Sequence, residues 1–201
     1  VSGEIVLGGA VITEDSIKAR RRAGMAIVSE DRLRDGAALD LSIEANLVVD
    51  RYDRAPYSRR GLLHPSQIRS LAQRLIARFS VKAPDPLVPM SSLSGGNMQK
   101  VIMARELSSS PRILLASQPT RGVDIGAMQF IYEQIVTARD AGAGVLVVSA
   151  DLTELLTLSD RLLVMRDGAI VHRYDGLEGV TEQAVGEHML GVADEPSEGD
   201  A

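Results

Sequence analysis

After Pro111 the chain alternates between two hydrophobic periods, and that alternation limits its fold more than any other feature. "RILLA", "GVLVVSA" and "RLLVM" are short continuous apolar runs, the pattern of strands buried in a sheet. "AMQFIYEQIVTARDA" and "LTELLTL" lie between them. In the first of these, Met128, Ile131, Tyr132 and Ile135 sit at i, i+3, i+4 and i+7, so a helix buries them together. Strand, helix, strand, helix, strand predicts a parallel sheet with helices packed against it. Ile113, Leu114 and Leu115 are what a central strand covered on both faces needs.

The upstream half reads differently. "GEIVLGGAVI" predicts an N-terminal antiparallel hairpin turning at Gly8-Gly9. "SIKARRRAG" is a short basic helix stopping at Gly24. Its Lys18, Arg20, Arg21 and Arg22 read as a solvated face. "MAIVSEDR" is a buried strand that breaks into charge at Glu30. From Leu33 to Pro89 strand patterns disappear, and "SQIRSLAQRLIARFSV" places Ile68, Leu71, Leu75 and Phe79 on one helical face. "LSGGNMQKVIMARELSSSP" is a Gly-rich turn feeding a helix, and "MRDGAIV" turns at Asp167-Gly168. The expected organisation is an α/β core beginning in 1–32, a helical insertion over 33–109, the rest of the core over 110–192, and a disordered acidic tail, 193–201.

Composition narrows the function. The 201 residues suffice for a sizeable core, and 45% hydrophobic with 24% charged residues suits a globular protein. A net charge of −5 argues against a nucleic-acid groove, so no nucleic-acid partner is expected. There is no cysteine, hence no disulfide or thiolate chemistry. His64, His172 and His188 have no partner at metal-ligand spacing, so no metal site is expected. No apolar run approaches the roughly 20 residues that span a bilayer. "VSGEIVLGG" is not a secretory signal and does not begin with Met, so an excised or processed piece is expected.

The most specific stretch is Leu93–Gln99, "LSGGNMQ". It is a helix start whose serine and glycines let backbone N–H groups approach an anion, in the favourable field of the helix dipole. An ordinary capped helix is the simpler reading of "SGG" alone. The context favours the anion. The stretch resembles the signature motif of ABC-type ATPases, and three more segments match that family in order. "PTRGVD", Pro119–Asp124, resembles the segment after the Walker B strand and ends in the D-loop aspartate, Asp124. "VSEDRLRDG", Val28–Gly36, resembles the Q-loop region of the second nucleotide-binding half of sugar-type importers, with Glu30, Asp31 and Arg32 at the loop. "VVSADLTELLTLSDRLLVMRDGAIV" resembles the switch strand, its helix and the closing strands. The resemblance covers nearly the whole chain and implies an α/β, P-loop ATPase-type core. It also implies nucleotide contact through Ser94, Gly95, Gly96, Asn97, Gln99 and Asp124.

Three departures from the family pattern bear on mechanism. No G-x-x-x-x-G-K-S/T nest occurs in the sequence, so a fragment cut after that motif is expected. The Walker B corner carries Ser117 and Gln118 where Asp and Glu are usual, and Gln cannot take a proton from water. Ala150 stands at the switch histidine position. No residue is therefore expected to be catalytic. The resemblance implies a degenerate second half that supplies its signature to a nucleotide held by an N-terminal ABC half of the same polypeptide.

ATP and Mg²⁺ would be bound in that assembly and not by this chain alone. Permease transmembrane subunits and, indirectly, an extracytoplasmic substrate-binding protein are the implied partners, at the cytoplasmic face of the inner membrane. Ala116-Ser117-Gln118 and "APYSRRGLL" resemble the nucleoside branch, with simple sugars as the other cargo. Leu39, Leu41, Ile43 and Leu47 read as core, or in part as an apolar patch rimmed by Arg32, Arg34 and Asp35 for a permease helix. A non-transport ABC ATPase or a regulatory ABC-like module is the alternative.

Overall fold

The computed structural model describes residues 3–192, so the acidic tail at 193–201 lies outside the described residues. The chain forms two compact units, Val1–Leu146 and Val147–Ala201.

The first unit opens on the hairpin β1 (Val6–Leu7) and β2 (Ala10–Val11), where Gly8 and Gly9 take the left-handed φ values of 58° and 83° that the turn needs. Ser16 caps α1 (Ile17–Arg22) by accepting the Ala19 N–H, and the helix gives way to β3 (Met25–Val28) through Gly24. The inserted segment holds α2 (Ile43–Val48), α3 (Pro65–Arg78) and α4 (Gly95–Leu107), which pack on one another. Between α2 and α3 lies a short hairpin, β4 (Ser58–Arg59) and β5 (Leu62–Leu63), which the apolar pattern does not announce. It turns at Arg60 and Gly61, both at positive φ, and leaves Leu62 and Leu63 exposed, so no alternating burial marks it.

α3 buries Ile68, Leu71 and Leu75 with Phe79 beyond its end, as the spacing predicts. α4 is different: Met98, Gln99 and every residue from Val101 to Leu107 are buried. A helix enclosed on all sides is a central strut. α4 packs on α2 and α3 and also on β3 and α5 (Ile125–Asp140), so it joins the insertion to the sheet. Glu106, near its C-terminus, is 1% exposed. It accepts from Arg105 Nε at 2.8 Å, from Arg21 Nη1 and Nη2 at 2.9 and 3.2 Å, and from the Ile27 N–H at 3.2 Å. One carboxylate thus binds α1, β3 and α4 together.

β6 (Ile113–Ser117) pairs parallel with β3, from Met25↔Ile113 to Val28↔Ala116, and β7 (Gly144–Val148) follows in the order β3-β6-β7. Ala26, Val28, Leu114 and Ala116 fill one face. The expectation that both faces are covered is not met: on the other face Ile27 is 44% and Leu146 52% exposed, and Leu115 is half-buried. In α5, Ile131 and Ile135 are buried with Ala127, while Met128 and Tyr132 are only half-buried.

The second unit contains α6 (Leu152–Leu158), β8 (Leu162–Arg166), β9 (Ala169–Tyr174) and α7 (Glu182–Leu190). β8 and β9 form the antiparallel hairpin expected at Asp167-Gly168, whose φ values are 51° and 78°. Leu155, Leu162, Val164 and Val185 form the core of this unit. His172 and His188 stack with ring centroids 3.7 Å apart, a pairing their spacing in sequence does not suggest.

Candidate functional site

The start of α4 carries the expected serine and glycines. Ser94 is exposed and caps the helix: its Oγ accepts from the Asn97 N–H at 3.4 Å and from Asn97 Nδ2 at 3.0 Å. Asn97 Oδ1 in turn accepts the Lys82 N–H at 2.8 Å, which fixes the cap against the segment after α3. The first turn carries no acidic residue of its own, but the Asp124 carboxylate closes against it at Gly96 and offsets part of the positive charge of the helix end.

Packing is tight at both glycines. A Cβ on Gly96 would lie 2.9 Å from Asp124 Oδ2 and 3.0 Å from Ala127 Cβ. On Gly95 it would lie 2.8 Å from Arg32 Nη2 and 3.2 Å from the Gly122 carbonyl oxygen. Asp124 is the N-cap of α5 and accepts the Ala127 N–H at 2.9 Å. Two capped helix starts, α4 and α5, therefore meet at Gly96.

Between β6 and α5 the chain makes a tight turn, with Gln118 at φ 48° and Gly122 at φ 65°. The Arg121 N–H donates to the Gln118 carbonyl at 3.1 Å. Gln99, 2% exposed, donates from Nε2 to the Pro119 carbonyl at 2.7 Å and so ties α4 to this turn. Ser117 and Gln118 are half-buried at the end of β6, the expected corner, and neither is a carboxylate. Among the described residues no group of three or more His, Cys, Asp or Glu side chains gathers to hold a metal ion. The start of α4 suits a phosphate oxygen; the corner does not suit Mg²⁺, and no step is routed through that ion.

The loop after β3 reaches the same turn. Asp31 Oδ1 accepts the Leu33 and Arg34 N–H groups, both at 3.0 Å, and caps a π-helical turn, Arg32–Gly36. The Arg32 guanidinium crosses to the facing segment: Nη1 donates to the Arg121 carbonyl and Nη2 to the Gly122 carbonyl at 3.0 Å. Glu30 pairs with Arg121, Oε1 to Nη1 at 2.6 Å. These residues line an open groove of about 480 Å³ with Asp31, Leu33 and Asp35. Of the four apolar residues after the loop, Ile43 and Leu47 are core, Leu39 is half-buried and Leu41 is exposed. Leu41 and Val49 line a second, smaller hollow of about 170 Å³ beside Asp35.

The structure thus brings together Ser94, Gly95, Gly96, Asp124 and Arg32, with Asn97 and Gln99 bracing α4. It adds Arg121, Gly122 and Lys82, which the sequence reading did not assign; the only signal was a glycine closing the turn in "PTRG". Ala150 belongs to the second unit, is exposed, and offers only a methyl group.

No protein-family profile matches the chain. The chain is 38% identical over 190 residues to the guanosine import ATP-binding protein NupO of Bacillus subtilis, covering 94% of this chain and 37% of that protein. It is 40% identical over 193 residues to the nucleoside import ATP-binding protein NupA of Lactococcus lactis, covering 94% and 37%. The ribose import ATP-binding protein RbsA of Burkholderia pseudomallei is 38% identical over 187 residues, covering 92% and 36%. The chain therefore spans little more than a third of the length of the curated relatives it matches. Among solved structures, the dimeric post-hydrolysis state of the ATP-binding cassette MJ0796 superposes with a TM-score of 0.71 at 21% identity, covering 88% of this chain and 74% of that one. The ADP conformation of the cassette MJ1267 gives a TM-score of 0.71 at 17% identity, covering 97% and 78%.

Proposed function

We propose that this chain, a homologue of the ATP-binding proteins of ABC nucleoside and sugar importers with the α/β fold of the ABC ATPase cassette, is the second, degenerate ATP-binding half of such an importer. Its work is to complete the nucleotide site of a partner half. Ser94, Gly95 and Gly96 face the γ-phosphate held by that half, and Asp124 stands at the same edge. Ser117, Gln118 and Ala150 leave the chain's own corner without a metal-binding acid, a general base or a switch histidine. The observation that carries this reading is the meeting of α4 and α5 at Gly96, where a side chain would strike Asp124. It holds the D-loop aspartate against the start of α4 while the usual acids are absent.

ATP supplies the energy, and Mg²⁺ arrives with it on the partner half. Arriving phosphate is bound by oriented amides rather than by a flexible cation, so the site needs little reorganisation when the two halves close. Nucleosides are the favoured cargo, with simple sugars the alternative. The guanosine and nucleoside import relatives support this, as does the Ala116-Ser117-Gln118 corner. Cargo is bound elsewhere in the assembly, so the preference rests on kinship rather than on site chemistry.

Docking to permease subunits at the cytoplasmic face of the inner membrane uses the loop after β3. Leu33, Leu41 and Val49 are 54%, 53% and 48% exposed there, beside Arg34 and Asp35. Apolar side chains rimmed by charge suit an amphipathic helix end. Among the described residues no helix is long and apolar enough to cross a membrane itself.

The test is reconstitution of the intact protein with its co-encoded permease in vesicles. Nucleoside-loaded binding protein is expected to stimulate ATP turnover, and crosslinks from positions next to Asp35 should reach a cytoplasmic permease loop. Stimulation by a sugar alone reassigns the cargo, and absence of both stimulation and crosslinks overturns the reading.

A further inference from the structure

We propose that the β4-β5 hairpin is a contact for anionic phospholipid headgroups; the inference rests on the membrane placement proposed above and adds a lipid-facing surface to it. Residues 54–84 hold seven lysines and arginines and no aspartate or glutamate, in a chain whose net charge is −5. The hairpin lies near the start of that basic stretch. Among the described strands β4 and β5 pair only with each other, and the Tyr57 carbonyl closes the base by accepting the His64 N–H at 2.8 Å. Every residue over 59–67 is exposed, with Leu62 at 74% and Leu63 at 53%. The hairpin therefore projects from the surface and covers no core.

The acids nearest in sequence are already neutralised. Asp50 pairs with Arg51 at 2.8 Å, and Asp53 pairs with Lys18 and Arg22. Arg54, Arg59 and Arg60 form no ion pair and no side-chain hydrogen bond among the described residues. Their charge faces water and attracts an anionic partner. The exposed leucines decide which one. A projecting turn offers a peptide no cleft, and the two strands carry no aromatic side chain on which a base could stack. A leaflet of anionic lipid supplies both complements at once: phosphate oxygens for the guanidinium forks and acyl chains for Leu62 and Leu63. Each cation near such a surface strengthens binding about fivefold, and salt screens the attraction. The segment leaves α2 through Val49, one of the exposed apolar residues assigned to permease docking, so both surfaces start from the same end of α2.

The experiment is co-sedimentation of the 201-residue chain with permease-free vesicles, one set of equal parts phosphatidylglycerol and phosphatidylcholine and one of phosphatidylcholine alone. The chain is expected to bind the first set at least about tenfold more tightly, and less tightly as salt rises. Arg59→Glu combined with Arg60→Asn should weaken that binding at least about tenfold. Asparagine suits the left-handed backbone at Arg60, φ 53°, so the hairpin is kept, and circular dichroism checks the fold. The chain has no tryptophan, so Leu62→Trp reports on the hairpin alone, and its emission should shift to the blue on the anionic vesicles. Equal binding to both vesicle types, binding undiminished in the double variant, or unshifted emission overturns the proposal. Binding of polyglutamate or single-stranded DNA in place of vesicles also overturns it and reassigns the patch to an acidic protein or a nucleic acid. No permease or nucleotide is present, so vesicle binding decides on the hairpin, while stimulated turnover in the permease assembly decides on the functional reading.

Discussion

Gly96→Ala sets three effects against one another. In favour of the variant, alanine is the better helix former by about 1 kcal/mol in a helix interior, and less in a first turn. Against it, the new methyl group would sit 2.9 Å from Asp124 Oδ2 and 3.0 Å from Ala127 Cβ. The Ala127 methyl group is fixed to the backbone of α5 and cannot swing away. Overpacking of this kind costs about 1–3 kcal/mol. Asp124 has freedom to rotate, but only by giving up the Ala127 N–H it accepts at 2.9 Å, a cap worth about 0.5–2 kcal/mol. The unfavourable effects win, and the variant is expected to be less stable by about 1–3 kcal/mol. The assay is urea unfolding followed by circular dichroism, with the slope unchanged and the midpoint lowered. Repeating it in an Asp124→Ala background isolates the cause. With the carboxylate already gone, Gly96→Ala should cost about 1 kcal/mol less than in the wild type, the coupling expected of side chains in contact. A neutral or stabilising Gly96→Ala, or an equal loss in both backgrounds, would refute the reasoning.

Glu106→Ala leaves Arg105 and Arg21 facing a buried void and should destabilise the protein by about 3–5 kcal/mol, whereas Glu106→Gln, which keeps an acceptor, should cost less; equal unfolding midpoints for Ala and wild type would contradict this. Calorimetry on the 201-residue chain is expected to show no saturable ATP binding at micromolar concentration, because under the proposed reading α4 meets nucleotide only across a pair of halves; a saturable isotherm contradicts it. Leu41→Asp, on an exposed position, should leave the unfolding midpoint within about 0.5 kcal/mol of wild type while weakening association with permease vesicles; equal association counts against the docking surface.

The elements with long apolar periods were legible from the chain alone. β3, β6, β7, α3 and α5 fall where their patterns put them, and α4 starts at the serine and glycines that mark it. Two kinds of feature were not legible. The first has too little pattern: β4 and β5 have two residues each, with exposed leucines, so period-two burial has nothing to act on. The second is assembled from distant parts of the chain. Arg32 and Gly122 are 90 residues apart, and Arg21 and Glu106 are 85 apart, so no local spacing announces that they touch. The same holds for the uncovered sheet face. Leu115 looks like a doubly buried strand residue because its chemistry suits that place, yet it is only half-buried and Ile27 beside it is exposed. At the site, the residue types of the signature and the missing acids were visible in sequence. The close approach of Gly96 to Asp124, which explains why glycine is needed, was not.

The central claim, that this chain serves a partner's nucleotide and not its own, is tested most directly by ATP turnover of the intact protein carrying Ser94→Ala or Gln118→Asn. Ser94 is exposed, and asparagine tolerates the left-handed backbone found at Gln118, so both variants keep the fold within reach of a stability control. Loss of one donor to a developing phosphoryl charge costs about 10²- to 10³-fold in kcat. The account predicts a fall of that order for Ser94→Ala and turnover within about twofold of wild type for Gln118→Asn. Collapse of turnover in Gln118→Asn with Ser94→Ala left active would contradict it.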